Sequence, residues 1–87
     1  MKQLERTLKA LGNEKRLTIL RELKRVKSGL PVGRIAEKIS LSFRTTSKHL
    51  ALLSAVNVIE GNRKGARVFY RLSLPPPPAA THIIELL

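Results

Sequence analysis

Cysteine is absent from the 87 residues, so disulfides, thiolate metal centres and cysteine nucleophiles are excluded. Aromatic residues make up only 3% of the chain, too few for the row of exposed rings on which single-stranded nucleic acid stacks. No apolar run approaches the roughly 18 residues of a membrane span. The N-terminal stretch MKQLERTLKALGNEKR interleaves charges with leucines and has no apolar leader segment, so a soluble cytoplasmic protein is expected. Acidic residues are scarce: six against 17 Lys and Arg, a formal net charge of +11 and a pI near 11.3. Such a field attracts polyanions from a distance, and with stacking disfavoured the better candidate is a duplex. Paired carboxylates, a nucleophile with its base and a phosphate-cradling glycine loop are all missing. Neither enzymatic activity nor a cofactor is therefore expected.

What is present is enough apolar side chain, 43%, for one small core. From about Lys2 to Leu11 the spacing predicts a short amphipathic helix with Leu4, Leu8 and Leu11 on one stripe. Gly12 ends it and Asn13 supplies an N-cap for a second helix, NEKRLTILRELKRV, with Leu17, Leu20 and Leu23 inward, joined by Ile19 and Val26. The cations of that helix, Lys15, Arg16, Arg21, Lys24, Arg25 and Lys27, read as a solvated face with a dipole-favoured C-terminal end. Ser28-Gly29 is a break, Leu30 adds a little extended chain, and Pro31 suits a helix start before VGRIAEKI.

The stretch SFRTTSKHLALLSAVN, Ser42 to Asn57, reads as a helix capped by Ser42, with Thr46, Leu50, Leu53 and Val56 or Asn57 on its packing face. Its other face carries Phe43, Arg44, Thr45, Ser47, Lys48 and Ala51 and no acid. Small hydroxyl side chains permit close approach to a groove, and cations at the N-terminal end reach phosphates or guanine edges. Taken alone, that face is equally an ordinary solvated one. The tight turn Ser40-Leu41-Ser42 joins it to the preceding helix and makes a helix-turn-helix. After it, Val58-Ile59-Glu60 and Ala66 to Leu72 alternate as strands around Gly61 to Gly65, a turn-rich segment, which gives a β-hairpin with Arg63 and Lys64 at its tip. Val68, Tyr70 and Leu72 lie on one side of the second strand and Arg67, Phe69 and Arg71 on the other. The fold class is thus mainly α with a small β-hairpin, over residues 1–74. Residues 75–87 form a tail: Pro75 to Pro78 should be a stiff extended spacer, followed by an apolar segment that either docks in a groove or stays free.

The order of these elements resembles the winged helix-turn-helix of the ArsR-like repressor family. The resemblance covers roughly residues 4 to 73 and rests on LKALGNEKRLTILREL, on VGRIAEKISLSFRTTSKHLALLSAVNVIE and on the closing GNRKGARVFYRLS. It implies a sequence-specific regulator of transcription, a repressor, that binds double-stranded DNA as a symmetric dimer. Carried over by position, it puts Ser42, Arg44, Thr45, Ser47, Lys48 and His49 near DNA, with Arg63, Lys64 and Arg67 on the wing. Phe43 stands where relatives often have a polar residue; its ring either meets a thymine methyl or folds inward. Family dimers pair through the first and last helices, so Leu4, Leu8 and Leu11 are expected across the axis, with Ile83, Ile84 and Leu87 adding apolar area. Cysteine-based metal sensing at the third helix cannot occur, since Leu30-Pro31-Val32-Gly33 stands there. His82 and Glu85, two ligands at i and i+3, would need two more from a symmetry mate, and no metal site is expected. A small-molecule effector, a protein partner and constitutive binding all remain open. So do two other functions, a non-specific architectural binder of nucleic acid and a protein-interaction module on a winged-helix scaffold.

Overall fold

A computed structural model describes all 87 residues, as five helices and a three-stranded antiparallel sheet. Helix α1 spans Lys2–Leu11, α2 Glu14–Arg25, α3 Val32–Ile39, α4 Phe43–Ala55 and α5 Pro78–Glu85. Strands β1 (Leu30–Pro31), β2 (Ile59–Lys64) and β3 (Arg67–Leu72) pair in the order β1-β3-β2. No helix is long and apolar enough to cross a membrane.

Local chemistry accounts for the helix boundaries. Asn13 caps α2 by accepting from the Arg16 amide at 3.1 Å, and Ser42 caps α4 by accepting from the Thr45 amide at 3.0 Å. The two helices of the helix-turn-helix end alike. After α3, Ser40 turns left-handed at φ 58° and the Leu41 amide donates back to the Ala36 carbonyl; after α4, Asn57 at φ 61° is followed by the Val58 amide donating to Leu53. This is the Schellman arrangement, in which the next residue is apolar and packs down: Val58 is fully buried and Leu41 rests on the core. Asn57 therefore lies beyond the helix and not on its packing face.

The core gathers Ile19, Leu20 and Leu23 of α2, Ile35 and Ile39 of α3, Leu50 and Leu53 of α4, Val58 and Ile59, and Ala80 and Ile84 of α5. Expected strands and observed strands differ at the hairpin. Six consecutive pairs run from Ile59↔Leu72 to Lys64↔Arg67, so the turn is only Gly65-Ala66, with Gly65 at φ 64°. Gly61 is a strand residue instead: a Cβ there would come within 3.1 Å of Tyr70 and Val68, which close over it. β1 adds a third strand, Leu30↔Tyr70 and Pro31↔Phe69, at an edge where proline's missing N–H costs nothing.

The tail also departs from expectation. Pro78 is the first residue of α5, where the helix needs no amide donor, so only Pro75 to Pro77 are outside regular structure. α5 packs on α1 and α2, with Ala80 inaccessible.

Three cations of α2 reach the C-terminal carbonyls of three other helices. The Arg16 Nε–H donates to the Ala10 carbonyl of α1 at 2.6 Å, Lys15 Nζ to Ile39 of α3 at 3.4 Å, and Lys24 Nζ to Ile84 and Glu85 of α5 at 3.1 and 3.4 Å and to Leu87 just beyond it at 3.1 Å. A positive charge at a helix C-terminus offsets the dipole and satisfies carbonyls that have no intrahelical donor. Part of the basic run on α2 is thus structural.

Candidate nucleic-acid interface

The candidate interface is built on α4, whose 13 residues, FRTTSKHLALLSA, contain no acid. Thr46, Leu50 and Leu53 turn inward and are inaccessible, which fixes the helix's rotation about its axis. Arg44, Thr45 and Lys48 are therefore exposed, with Ser47 half-buried beside them. Thr46 Oγ1 is buried without a hydrogen-bond partner, a cost of about 1–3 kcal/mol carried by the packing face. Ser42 is exposed, but its hydroxyl is already committed to the cap, accepting from the Thr45 amide and donating to Thr45 Oγ1 at 3.0 Å.

His49 is held by the protein itself. Its Nδ1 lies 3.2 Å from Arg16 Nη1, and because a guanidinium only donates, Nδ1 accepts and the ring proton sits on Nε2. Burial, and then the Arg16 charge, push its pKa below the ordinary 6.5. Arg16 thus ties α1, α2 and α4 together through Ala10 and His49. Nothing in the spacing of Arg16 marks this role; the only signal was its place three residues after the Asn13 cap.

The hairpin stands beside the N-terminus of α4. Phe43, Ala66, Arg67 and Val68 share a cleft with Pro31, Val32 and Gly33. Within the hairpin the register sorts the charges by face. Lys64 and Arg67 lie opposite each other and both sit 5.3 Å from the Phe69 ring centroid, a cation–π arrangement that holds them on the outer face. Arg63 pairs with Val68 and points to the other face, so the two tip cations are not side by side. Glu60, the wing's only acid, is neutralised by Arg71, whose Nη2 is 2.8 Å from Oε1.

The residues expected across a dimer axis do not stay together. Leu11, 2% exposed, and Ile84, 8% exposed, lie in the subunit's own core. The inward arc of α1 is Thr7, Ala10 and Leu11, with Thr7 able to enter because its hydroxyl donates to the Gln3 carbonyl at 3.0 Å. Leu4 and Leu8 lie off that arc, 43% and 49% exposed, and with Met1 form an outward apolar strip; Ile83 and Leu87 are partly buried. No three His, Asp or Glu side chains converge as a metal site would require.

Comparison with known proteins gives relatives along most of the chain. Nodulation protein NolR of Rhizobium meliloti is 39% identical over 66 residues, 76% of this chain and 52% of NolR. The transcriptional activator HlyU of Vibrio cholerae serotype O1 is 38% identical over 80 residues, 92% of this chain and 69% of HlyU. The chain thus spans about half the length of NolR and just over two thirds of HlyU. Among solved structures, reduced HlyU superposes with a TM-score of 0.81 at 32% identity, over 99% of this chain and 85% of that one. The homodimeric winged helix-turn-helix DNA-binding domain of Mb0332 from Mycobacterium bovis, described as a possible ArsR-family transcriptional regulator, gives 0.83 at 29% identity, over 98% and 74%. No family model matches the chain.

Proposed function

Because this chain belongs to the ArsR-like family of winged helix-turn-helix transcriptional regulators, we propose that it binds double-stranded DNA sequence-specifically as a homodimer in the cytoplasm. The observation that carries this reading is the acid-free exposed face of α4, presented end-on at a capped N-terminus beside a cationic hairpin. In a helix-turn-helix the N-terminal residues of the second helix meet base edges in the major groove. Arg44, Thr45 and Lys48 occupy that position here, Arg44 with the fork that matches a guanine edge. Lys64 and Arg67 face outward as phosphate contacts, which position the protein without reading sequence.

A single short helix and wing bury too little surface for tight specific binding, and a two-fold dimer reading an inverted repeat doubles it. The strip Met1, Leu4 and Leu8 is the surface for that axis, and the homodimeric state of Mb0332 supports the assembly. Occupying the duplex is the regulatory act, and its direction follows from where the site lies relative to a promoter. A small molecule or protein that alters the α1–α5 face would serve as effector.

Selection of bound duplexes from a random pool at physiological salt tests the proposal. Recovery of an inverted repeat with half-sites about one helical turn, ~10 bp, apart is expected. A pool that stays random, with equal affinity for every duplex, would leave non-specific binding in its place. Sedimentation as a monomer at micromolar concentration, with and without DNA, would remove the dimer.

A further inference from the structure

Phe43 is a large aromatic side chain that the fold leaves 62% exposed. The other two rings of the chain, Phe69 and Tyr70, are half-buried, and Phe43 did not fold inward. Its place is specific. It is the first residue of α4, immediately before Arg44 and Thr45, and a helix side chain leans toward the N-terminus, so the ring projects past the start of the helix. It forms one wall of the cleft, about 340 Å³, between α4, the start of α3 and the wing. The remaining walls, Pro31, Val32, Ala66 and Val68, are apolar and Arg67 is the one charged group. An apolar cleft edged by a single cation suits an apolar group carried by a polyanion.

In the major groove the only such group on a base edge is the C5-methyl of thymine. Resting on the reading of α4 as the groove-bound helix, we propose that Phe43 is a specificity-determining residue that selects thymine at one position of each half-site through its 5-methyl group. The ring supplies apolar area that a cytosine or a uracil at that position leaves uncovered, while Arg44 and Thr45 read the neighbouring pairs. The contact uses no hydrogen bond, so it is insensitive to salt and separable from the phosphate contacts of the wing.

The experiment uses the full chain and the duplex recovered by selection. Each thymine of the site is replaced in turn by deoxyuridine, which removes only the methyl, and dissociation constants are measured by fluorescence anisotropy for the wild type and for Phe43→Ala. Burying one methyl predicts that uridine at a single position per half-site weakens wild-type binding about fourfold, or about fifteenfold when both half-sites carry it. Phe43→Ala is expected to bind the thymine and uridine duplexes equally, and Phe43→Leu to keep part of the discrimination. The side chain is exposed, so an unchanged melting temperature accompanies the loss. Absence of a uridine penalty at every position, or a penalty that persists in Phe43→Ala, overturns the assignment while leaving the DNA-binding reading intact. Failure to recover any preferred duplex overturns both.

Discussion

Arg44, Thr45, Lys64 and Arg67 are all exposed and polar, yet their neighbours assign them different work. Arg44 and Thr45 sit on the first turn of a helix whose rotation is locked by three buried residues, so their direction is fixed relative to the core. Lys64 and Arg67 are anchored over Phe69, on a face that presents charge without shape. Arg44→Ala and Thr45→Ala should weaken the selected duplex by about 1–3 kcal/mol each and random duplex little. Lys64→Ala and Arg67→Ala should weaken both alike and reduce the salt slope by about one unit each. Equal losses on all sequences from all four variants would count against base readout. His49 makes a different prediction. Its folded pKa lies below the ordinary 6.5, so the unfolded chain binds the extra proton; stability is complete above pH 6.5 and declines as pH falls below it. His49→Gln, followed by thermal melting between pH 7 and 5, should show a shallower decline than the wild type.

The elements are held to one another chiefly by α2. It contributes Ile19, Leu20 and Leu23 to the core and sends Arg16, Lys15 and Lys24 to the ends of α1, α3 and α5. α5 has only eight residues, too short to be stable alone, and it is kept by Ala80, Ile84 and the Lys24 cap. Lys24→Met retains the aliphatic stem and removes the charge. It should cost about 1–2 kcal/mol and lower Tm by about 4–8 °C per kcal/mol. Amide exchange in α5 should quicken more than in α4; a uniform change across both helices would mean the lysine stabilises the fold without serving α5.

At the scale of the whole molecule, the net charge of +11 is less a single binding surface than its magnitude suggests. Arg16, Lys15 and Lys24 serve helix ends, and Arg71 serves Glu60. Of the rest, Arg44 and Lys48 on α4 and Lys64 and Arg67 on the wing make up the proposed DNA surface, while Lys2, Arg6, Arg21, Arg25 and Lys27 are spread over α1, α2 and the loop after it. The proposed joining of two copies needs the opposite, an exposed apolar surface, and Met1, Leu4 and Leu8 offer one. Leu8→Lys places a charge there without touching the core. It should leave the helical circular dichroism intact, shift sedimentation to monomer, and weaken binding to an inverted repeat by about 100-fold or more, since the second half-site is no longer linked. A half-site duplex should bind as before. Dimeric sedimentation of this variant would move the axis elsewhere.

Periodicity and cap chemistry were enough to read α1 to α4 from the chain alone. Asn13, Ser42 and the apolar positions at i, i+3 and i+4 act within a few residues of themselves, so their signal is local. The acid-free side of α4 was legible for the same reason. Four features were decided only by long-range packing. Leu4, Leu8 and Leu11 form one stripe in sequence, but Thr7 and Ala10 can also face inward, and contact with α5 and the other helices divides the leucines between core and surface. The hairpin turn moved to Gly65-Ala66 because Tyr70 and Val68 need the space that Gly61 leaves. Pro78 begins a helix because α2 offers that helix a place to dock and a lysine to end it. Phe43 stands free because no element packs closely over the start of α4, a fact that no count of neighbours along the chain contains.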